Sequence, residues 1–278
     1  QCIVIKIRLY WIEELFKKTN MLTLLSFIYG ASIGSFVQVV ASRLHVAPIT
    51  KGRSKCLSCG VTLRVLDLIP LFSYVLLRGK CRYCKSKYGV SSLIVELLFG
   101  VTFTFLYLTI IATQYSLALG VAWLSYYTIL FGVLGVMALY DRAHSYVPPY
   151  FLLGYLVLTF LMYGNNVLRD SSFMVVLGPV FVALPFLIIW LITKGKGLGF
   201  GDVILFVGVG AFFGTLQGLA VLMISVWIGA LVGLFIKYTA KKKKTGPTPM
   251  PFVPFIVVAF LIVLFTGIDV LSIAMLGV

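Results

Sequence analysis

Two acids stand where an apolar membrane segment would ordinarily exclude them. Asp202 follows Gly197-Leu198-Gly199-Phe200-Gly201 at the opening of one apolar run, and Asp141 closes another at Ala138-Leu139-Tyr140. A carboxylate at the mouth of a membrane helix is costly, so it reads as functional by default. Two carboxylates brought side by side cannot both ionise cheaply and share a proton. Such a pair can attack an amide: the ionised acid activates a water as general base, and the protonated one donates to the carbonyl oxygen. Gly199 and Gly201 are expected to keep the backbone beside Asp202 extended and uncovered, since Gly is costly in a helix interior. An extended peptide would then pair there as an added strand.

A second chemistry is carried by Cys56-Leu57-Ser58-Cys59 and Cys81-Arg82-Tyr83-Cys84. Two Cys-x-x-Cys pairs about twenty residues apart suit tetrahedral thiolate coordination of zinc. With Cys56, Cys59, Cys81 and Cys84 filling every ligand position, the metal is structural. The alternative of four reduced cysteines carries no metal, and disulfides do not suit a reducing compartment. Cys2 has no partner. Glu96 reads either as an ion-pair partner of loop cations or as a functional acid. His45 and His144 have no matching ligand set and read as interfacial.

The elements that must position these groups are membrane helices. Of 278 residues 61% are hydrophobic and only 11% charged, with mean hydropathy +1.08, far from the one quarter charged of soluble domains. The expected fold is an all-α polytopic membrane protein of about eight transmembrane helices with one zinc-binding cytoplasmic loop, since apolar runs of about 20 residues span a bilayer. The spans fall at about 21–41, 91–113, 116–140, 147–164, 172–193, 202–214, 217–237 and 251–269. Residues 1–20 read as an interfacial amphipathic segment or a vector-derived tail, 42–90 as the loop domain, and 91–278 as the catalytic core. The net charge of +15 sits in loops and signals topology and contact with anionic lipid, not nucleic-acid binding. It places 42–90 in the cytoplasm, and counting spans from there brings Asp141 and Asp202 to the same face. Gly30-x-x-x-Gly34-Ser35 matches a small-residue helix-packing face. Leu66 to Leu77 reads as an interfacial helix seating the loop. Pro251-Phe252-Val253-Pro254 reads as a stiff entry to the last helix or a wall of the cleft.

These residues, in this order, resemble the type IV prepilin peptidases. The resemblance runs nearly the whole chain from Met21. It rests on Gly34-Ser35-Phe36 with Arg43, the two cysteine pairs, Asp67-Leu68-Ile69-Pro70, Val95-Glu96-Leu97, Asp141 with Val147-Pro148, Gly199-Phe200-Gly201-Asp202-Val203 and Pro251-Phe252-Val253-Pro254-Phe255. Gln38, Ile204 and Tyr150 depart from the pattern, away from the dyad. The resemblance implies an intramembrane aspartyl protease with Asp141 and Asp202 catalytic. It implies a multi-pass protein of the bacterial inner membrane that removes short basic leaders from prepilins or pseudopilins on the cytoplasmic side. In many members methylation of the new N-terminus follows, with S-adenosylmethionine as donor, and Glu96 is then a candidate for the methyl-transfer site. One rival reading is a proton- or cation-coupled transporter using Asp141 and Asp202 as a relay. A non-catalytic scaffold with a zinc-bound docking loop is another.

Overall fold

Backbone polar groups in lipid must be satisfied internally, so an apolar chain of this composition folds as helices. The computed structural model describes residues 20–275 apart from 47, 50, 51, 57, 115, 196, 197 and 240–249. The expected N-terminal segment, Cys2, Gly197, Lys241 to Lys244 and Thr245 to Pro249 lie outside them. In chain order the helices are α1 (Asn20–Arg43), α2 (Phe72–Leu76), α3 (Val90–Leu106, continued by a π turn to Ile111), α4 (Leu117–His144), α5 (Pro149–Arg169), α6 (Phe173–Val176), α7 (Gly178–Thr193), α8 (Phe200–Thr239), α9 (Val253–Thr266) and α10 (Val270–Met275). Five of these, α1, α3 with its π turn, α4, α5 and α8, are long and apolar enough to cross a membrane, while α7 and α9 are shorter apolar helices. The protein is an all-α polytopic membrane protein.

Two expected elements differ. The spans at 202–214 and 217–237 are one helix, α8, bent at Gly214 (φ 73°, ψ −169°). A single glycine takes up the break, because only Gly enters that region without strain. The bend is held by the Thr215 hydroxyl, which donates to the Met174 carbonyl at 2.6 Å. The interfacial helix over Leu66 to Leu77 is instead a 3-10 turn, Val65–Leu68, and the short α2. Pro70 causes the interruption: it has no N–H and drives Ile69 to an extended conformation (φ −67°, ψ 117°). Leu71 then turns back with φ 62°.

The chain divides into two compact units, Gln1–Gly132 and Val133–Val278. In the first, α1 packs on α3 through the expected small-residue face. A Cβ on Gly30 would strike the Phe99 carbonyl, and one on Gly34 would lie 2.9 Å from Phe99 Cβ. Gly100 answers from α3, with the Phe27 ring 2.7 Å from where its Cβ would be. Removing side chains at both surfaces lets the backbones approach, which is how helices gain packing energy in lipid.

In the second unit α8 is the axis, packed by α5, α7 and α9. Gly210 lies directly against the Gly178 backbone, and Gly208 against the ring of the fully buried Tyr155. The Tyr155 hydroxyl donates to the Leu205 carbonyl (3.3 Å), and Asn166 Nδ2 donates to the Phe212 carbonyl (2.9 Å). These polar side chains pin α5 to α8.

Candidate functional site: a buried acid pair and a four-cysteine cluster

Asp141 occupies the last turn of α4, which ends as the Ser145 N–H reaches back to the Asp141 carbonyl at 2.7 Å. Its side chain is turned inward, leaving the residue 6% exposed. There Oδ2 accepts the backbone N–H of Val253 at 3.0 Å. Val253 is the first residue of α9, where N–H groups have no partner within the helix. The carboxylate thus caps a helix N-terminus and is fixed in orientation by it.

Asp202 lies in the first turn of α8 and is 9% exposed. It reaches back to the Gly199 backbone N–H and lies within electrostatic range of Asp141. Asp141 and Asp202 are therefore buried together in the second unit, delivered by two different helices. A proton shared between two buried acids supplies both a base and an acid at one place.

The glycines play a different part from the one their sequence implies. The helix begins at Phe200, so Gly201 is in its first turn and not on extended backbone. Glycine is tolerated there because a first turn places little demand on helix propensity, and neither Gly199 nor Gly201 has a positive φ. A Cβ at Gly201 would meet Val147 at 3.4 Å, and one at Gly199 would stand 3.6 Å from Asp202 Oδ2. Gly199 keeps a side chain from beside the acid and Gly201 keeps one from Val147, and Gly201 lies in a helical turn instead of the extended backbone expected for strand pairing.

The second group lies in the first unit. Each Cys-x-x-Cys forms a tight knuckle. Cys56 N–H donates to the Val61 carbonyl and Gly60 N–H to the Cys56 carbonyl, both at 2.9 Å. The second knuckle repeats this, with Cys81 N–H to Ser86 (2.8 Å) and Lys85 N–H to Cys81 (3.1 Å). Gly60 (φ 70°) and Lys85 (φ 60°) supply the left-handed residue at matching positions. All four sulfurs lie within 4.8 Å of one another, and Cys56 and Cys84 are 3.9 Å apart. Sulfurs about 2.3 Å from a tetrahedral ion stand about 3.8 Å apart, so the cluster fits a metal closely. The cysteines differ chemically. Against the lowering Val61 N–H, burial and the neighbouring Cys84 and Cys56 push Cys59 up to about 11, whereas two others are shifted down. The backbone N–H groups of Cys59 and Ser58 pull the Cys56 thiol down to about 6. Those of Cys84 and Tyr83 lower Cys81 in the same way.

Asp67 braces the cluster. Its Oδ1 accepts Arg82 Nε at 2.8 Å and its Oδ2 accepts the Arg64 N–H at 3.1 Å. Burial opposes the charge, yet these partners hold the carboxyl below its usual range. Glu96, in the second turn of α3, is 7% exposed and accepts the Leu71 N–H at 2.8 Å. It anchors the turn after Pro70 and, among the described residues, pairs with no loop cation.

The Val253 contact is the part of the site that sequence reading missed. The signal was present: in Pro251-Phe252-Val253-Pro254 only Phe252 and Val253 retain an N–H, and both fall where a helix leaves donors unpaired.

The bacterial peptidase A24 N-terminal domain matches residues 28–110, and the type IV leader peptidase family matches residues 128–234. Among curated proteins, the chain is 28% identical over 255 residues to a type 4 prepilin-like proteins leader peptide-processing enzyme of Escherichia coli, covering 83% of this chain and 88% of that one. It is 29% identical over 275 residues to a prepilin leader peptidase/N-methyltransferase of Pseudomonas aeruginosa, covering 88% and 90%. A protein of the same name in Bacillus subtilis is 29% identical over 260 residues, covering 91% and 97%. No solved structure matches the chain. None of the matching proteins lends support to the transporter reading. Both halves of the sequence match the same kind of enzyme, and the chain belongs to the type IV prepilin peptidase family.

Proposed function

We propose that the chain is an intramembrane aspartyl endopeptidase of the bacterial cytoplasmic membrane. It removes the short basic leader from prepilins or pseudopilins at the cytoplasmic face, and methylation of the new N-terminus follows. The observation that carries the cleavage reading is the burial of Asp141 and Asp202 on separate helices within electrostatic range, Asp141 oriented by the Val253 N–H. One acid of the pair, ionised, takes a proton from water as the oxygen attacks the scissile carbonyl. The other, protonated, donates to the carbonyl oxygen, and the proton taken from water then leaves with the amine. Gly199, whose Cβ position stands 3.6 Å from Asp202 Oδ2, leaves room for the peptide beside that acid.

The four cysteines hold a structural Zn²⁺. With sulfur at all four positions no coordination site is open for water, so the ion shapes the loop and takes no part in cleavage. S-adenosylmethionine, when bound, supplies an electrophilic methyl group.

The direct test is to incubate the purified protein with a prepilin and sequence the product. The expected outcome is a shortened chain with one new N-terminus, gaining the mass of one methyl group when S-adenosylmethionine is added. Intact precursor after incubation with metal-loaded protein would overturn the assignment.

Elemental analysis checks the metal. Purified protein is expected to carry one zinc per chain, lost in Cys56→Ser and Cys81→Ser together with the thermal stability of the loop. Cleavage should fall only partly in these variants. Metal-free protein from a zinc-supplemented preparation would contradict the zinc assignment.

A further inference from the structure

α7 carries no ionisable side chain, so what it contributes to cleavage it contributes by packing. Between helices in lipid there is no hydrophobic driving force, and the shapes in contact decide how they sit. One α7 residue touches the supports of both acids. Phe186 is 5% exposed, and its ring centroid lies 4.4 Å from that of Phe206, with the planes tilted by 40°. Phe206 is fully buried on α8, one helical turn beyond Asp202 and therefore on the same face. Phe186 also stacks on Phe252, with centroids 5.6 Å apart and planes 29° from parallel. Phe252 immediately precedes α9, and its backbone N–H, with that of Val253, reaches the Asp141 carboxylate.

The Phe252 ring has little room to leave this place. Phe255, one turn into α9, meets it edge to face at a centroid distance of 6.1 Å. A Cβ at Gly229 of α8 would lie 3.2 Å from Phe252 Cε2 and 3.3 Å from Phe255 Cδ2, so α8 is cut back where the two rings press on it. The rings at 206, 186 and 252 form a continuous path from the helix of one acid to the N–H groups that orient the other. None of them carries a group that could take part in hydrolysis.

Resting on the cleavage reading above, we infer that Phe186 is a positioning residue for the acid pair. Its ring sets the start of α9 against the first turns of α8, and so fixes how Asp141 and Asp202 face one another. That spacing matters because a proton is shared only between carboxylates held close together. A displacement of about 1 Å at a reacting group can cost about 10²-fold in rate. An aromatic ring suits the task, since it is rigid and presents two flat faces to its neighbours.

The test measures kcat and KM for prepilin cleavage, with melting temperature, on the purified full-length protein. Phe186→Leu keeps the site apolar and removes the ring faces. It should lower kcat roughly 10–10²-fold and leave KM unchanged, the pattern of an interaction lost only in the transition state. Phe212→Leu is the matched control. Phe212 is also 5% exposed and packs α8 on α9 through Phe260, centroids 4.9 Å apart, but lies nearly three helical turns beyond Asp202. It should lose a similar amount of melting temperature and keep its kcat. Gly229→Ala strains the same path from the other end. Alanine suits a helix interior better than glycine, so the fold should hold, while the new Cβ crowds Phe252 and kcat falls severalfold. Normal kcat in Phe186→Leu, or a loss equal to that in Phe212→Leu, overturns the positioning role. So does a raised KM at unchanged kcat, which would place the ring against the prepilin. If Phe186→Leu does not accumulate, Gly229→Ala decides, and full kcat there overturns the role. Wild-type protein that leaves prepilin intact overturns the cleavage reading, and the positioning role with it.

Discussion

Asp141→Asn and Asp202→Asn should each lower prepilin processing by roughly 10²–10⁴-fold, the contribution of a positioned acid or base, with membrane abundance unchanged. Asparagine keeps the size of the side chain and an oxygen for the Val253 N–H, so α4 and α9 should stay in place. What it cannot do is share a proton. Because the two carboxylates act as a unit, the double variant should be little worse than either single one. The measurement is single-turnover processing at matched protein levels. Normal processing by Asp202→Asn would remove the acid pair from the mechanism. Additive losses in the double variant would mean that the two acids do separate jobs.

The largest structural effect is expected at Gly210. A Cβ there would lie 2.6 Å from the Gly178 carbonyl carbon and 2.8 Å from Pro179 Cα. Both obstacles are backbone, so no side chain can rotate away. Ordinary overpacking costs about 1–3 kcal/mol, and a collision between two main chains exceeds that. Gly210→Leu should separate α7 from α8, with folded protein lost from the membrane and processing lost with it. Gly154→Leu makes the matched comparison, because nothing lies within 4 Å of its Cβ position. It should leave abundance and melting temperature unchanged. Equal abundance of the two variants in the same membranes would show that the glycine contact is not what holds α7 to α8.

Much of this was legible in the sequence because it is written in side chains. The four cysteines announce their own geometry, and both acids stand out against apolar surroundings. Gly30 and Gly34 sit one helical turn apart, so their shared face follows from spacing alone. What was not legible is written in backbone. Gly208, Gly210, Gly214 and Gly218 look alike in an apolar run, and nothing local says that Gly214 alone leaves the helix. It does so because Thr215 has a partner in Met174, far away in sequence. The reversal at Leu71 and the Val253 donor to Asp141 depend on partners 25 and 112 residues away. Gly201 counts as a helix breaker only in a helix interior, and it stands in a first turn, where its propensity matters little.

The bend at Gly214 makes the stretch from there back to Asp202 a ruler. With the bend tied to Met174, twelve residues separate that fixed point from the acid, about 18 Å along the helix axis at 1.5 Å per residue. Taking out one residue between them would draw the carboxylate back by about 1.5 Å and swing it about 100° around the helix, away from Asp141. Side chains along this segment are open to exchange wherever they face lipid. Its length is not, so lineages of this enzyme should differ here by substitution and never by insertion or deletion.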